Sequence, residues 1–153
     1  MALIPFLAKK PLLAEPDRTQ IVNAICAAEK MTSGEVRVFV ESRCKFVDPL
    51  DRARELFYSL QMEATANRNA VLIYVAIKDQ QLAVFADEGI YHKAGTAFWN
   101  KAVASLLQHF NQNDYGAGIA SVVTETGNLL QTHFPYDSKT DKNELPDDIV
   151  FGK

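Results

Sequence analysis

The chain has 153 residues, of which 48% are hydrophobic and 23% are charged, and its formal net charge is −3. This length and composition predict one globular domain with a core of ordinary size. The weakly acidic balance provides no basic surface for a phosphate backbone, so no nucleic-acid partner is expected. Two cysteines, Cys26 and Cys44, are too few for a disulfide framework or a metal knuckle, and we expect free thiols in a reducing compartment.

The first eleven residues are expected to form an N-terminal arm. Pro5 interrupts their short apolar stretch, and the pair Lys9-Lys10 follows that stretch rather than preceding it. A secretory signal has the opposite order, and a membrane span needs about twenty apolar residues. We therefore expect no stable membrane insertion and a cytoplasmic location, with transient contact of the arm to a membrane or partner as the alternative.

The first half of the domain predicts a helix, a strand and a second helix. Residues 12–31 have an apolar stripe at helical spacing, and Gly34 is expected to end this helix in the left-handed conformation. Residues 35–41 alternate between apolar and mixed positions, which predicts a strand nearer a sheet edge than the central strand at 71–77. Pro49 opens the next helix, with Asp48 as its N-cap.

The stretch from residue 70 to residue 89 organises the sheet. Residues 71–77 are apolar without a break, as in a central strand that is covered on both faces. The four polar residues 78–81 allow a tight return into the strand at 82–86. Strand 35–41, the Pro49 helix and strand 71–77 form a βαβ unit, so those strands should be parallel and the return strand antiparallel.

Two further helices complete the predicted domain, one after Gly95 and one starting near Asp114. The result is an α/β fold in which a small mixed sheet has helices on both faces. The domain should span residues 12–134, followed by a polar C-terminal tail over residues 135–153. Residues 137–148 resemble a mobile segment, and Ile149 to Phe151 are expected to dock back onto the domain.

Strand directions should bring three polar segments to one edge of the sheet, namely residues 32–35, 67–69 and 87–89. Calcium and magnesium prefer oxygen ligands, so this edge is a candidate divalent-cation site. The candidate metal ligands are Asp87, Glu88 and Glu35. Neutral oxygens or an anion contact would come from Ser33, Thr32, Asn69 and Arg68. The alternative is that these residues only form turns and an ordinary ion pair.

Other chemistries have little support in the sequence. His92, His109 and His133 form no ligand pair, and no nucleophile elbow, phosphate loop or zinc-protease signature is present. Phe98 and Trp99 at a helix start are expected to pack in the core. No residue is therefore assigned a catalytic role.

Four motifs in order resemble the TPM domain family, and their residues are 32–38, 68–75, 87–90 with 98–99, and 143–147. The resemblance implies an αβα sandwich, with relatives described as acid phosphatases or photosystem-repair factors and with calcium in some structures. This chain departs from the family at Ala70 and Ala86, where many relatives have glycine. The added methyl groups stand where backbone would approach an ion or a phosphate.

Three functions are consistent with these observations. The first is a divalent-cation-binding interaction module with an unknown protein partner. The second is a metal-assisted, phosphatase-like hydrolase of phosphomonoesters, in which Arg68 stabilises the transferred group. The third is a purely structural interaction domain.

Overall fold

The computed structural model describes residues 11–45, 47–137 and 148–152, which contain five helices and four strands. The helices are α1 Glu15–Glu29, α2 Pro49–Ser59, α3 Glu88–Ala94, α4 Thr96–Asn111 and α5 Tyr115–His133. The strands are β1 Glu35–Glu41, β2 Ala70–Ala76, β3 Gln81–Ala86 and β4 Val150–Phe151.

The four strands form one mixed sheet in the order β3-β2-β1-β4. β1 and β2 are parallel, with Glu35 opposite Ala70, and β2 and β3 are antiparallel, with Val71 opposite Ala86. The predicted βαβ unit and hairpin are therefore confirmed. β2 is buried along its whole length because it has a strand on each side and a helical layer on each face.

Helices cover both faces of the sheet, as predicted. On one face, α1, α4 and α5 pack against apolar residues of the strands, among them Val36, Val38, Val40, Val71, Ile73 and Val75. On the other face, α2 packs through Phe57 against Leu72 and Tyr74. These two sets alternate along each strand, as the two-residue side-chain period requires.

Three local features differ from what the sequence led us to expect. β1, expected to lie nearer a sheet edge than β2, is flanked by β2 and by the two-residue β4, which pairs with it in parallel through Phe39 and Val150. Gly34 is not left-handed; among described glycines only Gly95 has a positive φ. Gly34 is instead tightly packed, since a β-carbon there would lie 2.7 Å from a methyl of Leu130. The sequence also gave no indication of α3, a short helix directly after Asp87.

Other predictions were confirmed. The Asp48 side chain caps α2 by accepting from the Leu50 amide at 2.9 Å, and Trp99 is buried in the core. Cys26 and Cys44 are free thiols. Most of the predicted arm (residues 1–10), part of the tail (138–147) and the motif at 143–147 lie outside the described residues. None of the helices that the structure describes is both long and apolar enough to cross a bilayer.

Candidate functional site

Strand pairing brings the three polar segments to one edge of the sheet, which we call the rim: residues 32–35, 67–69 and 87–89. The Glu35 amide donates to the Asn69 carbonyl at 3.4 Å, and the Asp87 amide donates to the Ala70 carbonyl at 2.9 Å. These contacts link the start of β1, the start of β2 and the end of β3. The predicted convergence is therefore confirmed for the backbone.

Arg68, Asp87 and Glu88 form a charged cluster on the rim. The Arg68 Nε and Nη2 atoms donate to Asp87 Oδ2 and Oδ1 at 2.6 and 2.8 Å, and Nη1 lies 3.0 Å from Glu88 Oε1. The side-chain exposures are 3% for Asp87, 37% for Arg68 and 70% for Glu88. Hydrogen bonding to Asp87, helped by both negative charges, raises the pKa of Arg68 above its ordinary value.

The backbone around the cluster holds it in place. Asp87 Oδ1 accepts from the Glu88 amide at 2.8 Å and so caps α3. Arg68 has a positive φ of 50°, and its carbonyl accepts from the Gly89 amide at 2.8 Å. A β-carbon at position 89 would overlap the carbonyl oxygen of Asn67, so the rim requires glycine there.

The remaining predicted residues lie elsewhere on the rim. The Thr32 hydroxyl donates to the Phe134 carbonyl, and the Ser33 amide donates to the same oxygen at 3.0 Å. Thr32 and Ser33 thus attach the end of α5 to the start of β1. Glu35 is 2% exposed, and Ala70 of the middle strand separates it from Asp87. The rim has two separate halves, and the charged half contains Arg68, Asp87 and Glu88.

Asn69 has a different environment from its neighbours. It is 1% exposed, and neither its Oδ1 nor its Nδ2 has a hydrogen-bond partner within the described chain. A buried amide without partners is costly, and such groups often mark the place of a water or an ion. Within the described ranges, no three histidine, cysteine, aspartate or glutamate side chains cluster closely enough to hold a metal.

A groove beside the rim was not expected from the sequence. Its volume is about 630 Å³, and it follows the outer edge of β3 between α2 on one side and α3 with α4 on the other. Tyr58 lies against Phe85 on one wall, and Tyr91 stacks on Trp99 on the other at 6.4 Å between ring centroids. In the sequence, two features could have indicated this groove: the absence of charge in β3, and the aromatic residues before and after it.

A second polar network lies at the other ends of the strands, opposite the rim, where β1 ends. Arg52 donates to Glu41 through Nε and Nη2, each at 3.0 Å, and the Tyr74 hydroxyl donates to the same carboxylate. Burial and this hydrogen bond raise the pKa of the Tyr74 hydroxyl, and the Glu41 contact raises the pKa of Arg52. These charges satisfy one another, as in a structural network.

The mixed sheet, its two helical layers and the charged rim define an α/β sandwich domain with a compact polar site at one sheet edge. The TPM domain model matches residues 9–129, and the chain belongs to that family. The family resemblance seen in the sequence is thus confirmed.

Two solved structures are similar to this chain. The NMR structure of the BA42 protein from the psychrophilic bacterium Bizionia argentinensis is 34% identical with a TM-score of 0.85, covering 95% of this chain and 99% of that one. The N-terminal domain of the cg2496 protein from Corynebacterium glutamicum is 15% identical with a TM-score of 0.60, covering 92% and 95%. The second likeness concerns the fold alone. Among curated proteins, none matches the sequence.

Proposed function

We propose that this TPM domain is a divalent-cation-binding interaction module without catalytic activity. Calcium or magnesium would bind on the charged half of the rim, with Asp87 and Glu88 as carboxylate ligands. Both are hard oxygen donors, which these ions prefer. Glu35, which the sequence also offered as a ligand, belongs to the proposal only as a buried carboxyl group across Ala70.

One observation carries the proposal: the Arg68 guanidinium lies between the two carboxylates. It contacts Asp87 at 2.6 and 2.8 Å and Glu88 at 3.0 Å, and so supplies positive charge where a bound cation would supply it. Two adjacent carboxylates repel each other, and a positive group stabilises both. A divalent ion therefore competes with Arg68, which makes the site weak and sensitive to substitution at position 68.

Asn69 supports the oxygen donor set. Its buried Oδ1 has no partner within the described chain, and Asn69 immediately precedes Ala70, whose carbonyl accepts from the Asp87 amide. A neutral amide oxygen commonly supplements carboxylates around calcium. Together with Asp87 and Glu88, this amide would add a neutral oxygen to the donor set that a hard cation prefers.

The phosphatase alternative has less support from the same geometry. Three Arg68 nitrogens already contact carboxylates, so the guanidinium offers few free donors to a phosphoryl group. Asp87 and Glu88 would also repel a dianion at this position. Thr32, an alternative anion contact, donates its hydroxyl to Phe134 instead.

A titration with calcium and then magnesium, followed by amide resonances of isotope-labelled protein, tests the proposal. Saturable shifts are expected at Asn69 and Glu88, together with a higher melting temperature. Asp87→Asn keeps a helix-capping side chain but removes the charge, and it should abolish the shifts. Arg68→Gln should tighten binding, because the competing cation is gone.

Asp51→Asn is the matched control, since Asp51 is an exposed acid paired with Arg54 at 2.7 Å away from the rim. This variant should titrate like the parent. Unchanged resonances at Asn69 and Glu88 in both ions would reject the cation site and leave a purely structural interaction domain. Hydrolysis of a generic phosphomonoester that Asp87→Asn abolishes would instead establish the enzyme.

A further inference from the structure

β3 is the long open edge of the sheet. Among the described residues it pairs with β2 alone, whereas the other edge strand, β4, has two residues. The Asp87 amide donates to the Ala70 carbonyl. In an antiparallel pair every second residue before Asp87, namely Phe85, Ala83 and Gln81, therefore hydrogen-bonds to β2. Leu82, Val84 and Ala86 therefore direct their N–H and C=O groups away from the sheet. No hydrogen bond within the described chain uses these groups.

This edge lacks the usual protection against strand pairing. Natural edge strands carry charged residues, prolines or bulges, or are kept very short. β3 has the sequence Gln-Leu-Ala-Val-Phe-Ala, with no charge and no proline, and it pairs with β2 without a bulge. The outward backbone groups of Leu82, Val84 and Ala86 are thus unused within the described chain, and these residues, 8%, 7% and 9% exposed, form the floor of the groove.

The groove surrounds this open edge with apolar side chains. Three large apolar side chains that line it are substantially exposed: Leu50 at 52%, Tyr58 at 46% and Tyr91 at 37%. Helical walls rise on both sides of the edge, so β3 is recessed. An extended segment is the form of chain that can reach such a recessed strand edge.

The charges on the groove favour a basic occupant. Three carboxylates line it (Asp48 at one end, Asp87 and Glu88 at the other), against one guanidinium, that of Arg68. Asp48 is exposed, and the Glu88 side chain is 70% exposed. A strand with lysine or arginine at its ends would therefore find complementary charge at both ends of the groove.

We propose that the β3 groove binds an extended segment of another protein, with alternating apolar side chains and flanking basic residues. The segment adds a strand by pairing with Leu82, Val84 and Ala86, and its apolar side chains contact the aromatic walls. The inference rests on the interaction role proposed above and names its surface. It does not require a cation.

Three synthetic peptides test this, each blocked at both termini and titrated into labelled protein with a chelator present. The probe is Lys-Val-Thr-Val-Thr-Val-Lys. The second peptide has glutamate at both ends, and the third has proline in place of the central valine and of the threonine after it. The probe should shift the amides of Leu82, Val84 and Ala86 and slow their hydrogen exchange. The acidic peptide should bind about tenfold more weakly. The proline peptide should not bind, because one of two adjacent prolines must face β3, where it cannot donate to the ladder.

Protein variants locate the site. Leu50→Ala removes an exposed side chain of the groove and should weaken binding of the probe peptide several-fold. Leu107→Ala removes a side chain that is 42% exposed outside the groove and should leave binding unchanged. Absence of binding at millimolar peptide, equal binding of the proline peptide, or shifts away from β3 would each overturn the inference.

Three further outcomes bear on the two proposals. Concentration-dependent shifts at β3 without peptide would identify a second copy as the occupant and overturn the inference. Peptide binding without any calcium response would support the groove and reject the cation site. Calcium shifts without peptide binding would do the reverse.

Discussion

The backbones of Gly89 and Arg68 are in direct contact. The Gly89 amide lies 2.8 Å from the Arg68 carbonyl oxygen, and a β-carbon at position 89 would come within 2.5 Å of that oxygen. The contact holds the turn before β2 against the first turn of α3. It thereby fixes the backbone on both sides of the Arg68–Asp87 ion pair.

Gly89→Ala should therefore destabilise the fold by about 3 kcal/mol, because the overlapping atoms are backbone and cannot move alone. Gly34→Ala is the comparison, since the atom it meets is a methyl of Leu130 at 2.7 Å. That side chain can shift, so the expected cost is about 1 kcal/mol. Urea unfolding gives both values, and equal losses would contradict the account of Gly89.

Arg68 and Asp87 should be energetically coupled. Asp87→Ala removes the cap of α3 and should cost at least about 1 kcal/mol. Arg68→Ala leaves a buried carboxylate without its partner, so the melting temperature should fall. The double variant should lose less than the sum of the two single losses. Arg68→Lys should keep only part of the stability that Arg68→Ala loses, since an ammonium cannot make two parallel hydrogen bonds. Strict additivity in a double-mutant cycle would contradict the coupling.

Tyr74 should make the protein less stable in alkali. Its folded-state pKa is raised by burial and by the bond to Glu41, so the unfolded chain releases this proton first as pH rises. The stabilisation is complete below the ordinary tyrosine pKa and should decline by about 1.4 kcal/mol per pH unit above about pH 10. Urea unfolding from pH 8 to 11 measures this slope.

Tyr74→Phe should remove that contribution to the slope and cost about 1–3 kcal/mol at neutral pH, because Glu41 loses a buried donor. Tyr136→Phe is the control, since Tyr136 is 48% exposed. An identical alkaline slope in parent and Tyr74→Phe would show that Tyr74 ionises equally in both states.

Two aspartates precede helices with different consequences. Asp48 accepts from the Leu50 amide at 2.9 Å, so Asp48→Ala should cost about 1 kcal/mol. Asp114 precedes α5 but makes no side-chain capping hydrogen bond. Asp114→Ala should therefore change the free energy of unfolding by less than about 0.5 kcal/mol. Thermal unfolding of the two variants compares them directly, and a larger loss at Asp114 would refute the distinction.

Much of the fold was predictable because its strongest signals are local. The unbroken apolar run of β2 and the polar turn after it determine the hairpin, and Asp48-Pro49 marks the start of α2. The position of β1 was not predictable, because it depends on pairing with residues 150–151, more than a hundred positions away. α3 was missed because seven residues give too little periodicity.

The sequence was enough to predict where the candidate site lies, but not which side chains contact each other in it. Strand direction alone brings Glu35, Asn69 and Asp87 to one edge. It cannot show that Thr32 turns to Phe134 while Arg68 turns to Asp87, since those choices depend on side-chain packing. The β3 groove was missed for a related reason: Leu50, Tyr58 and Tyr91 each look like ordinary helix residues until the sheet edge runs between them.

The two residues of β4 have a practical consequence for handling the protein. The Gly152 amide donates to the Val40 carbonyl at 2.9 Å, and a β-carbon at position 152 would lie 2.8 Å from the ring of Phe39. Proteolytic removal of residues 148–152 would leave β1 as a second unpaired edge strand of the sheet. A purification tag is therefore better joined through a spacer after this segment. β4 then stays paired with β1, and the protein is less prone to aggregate.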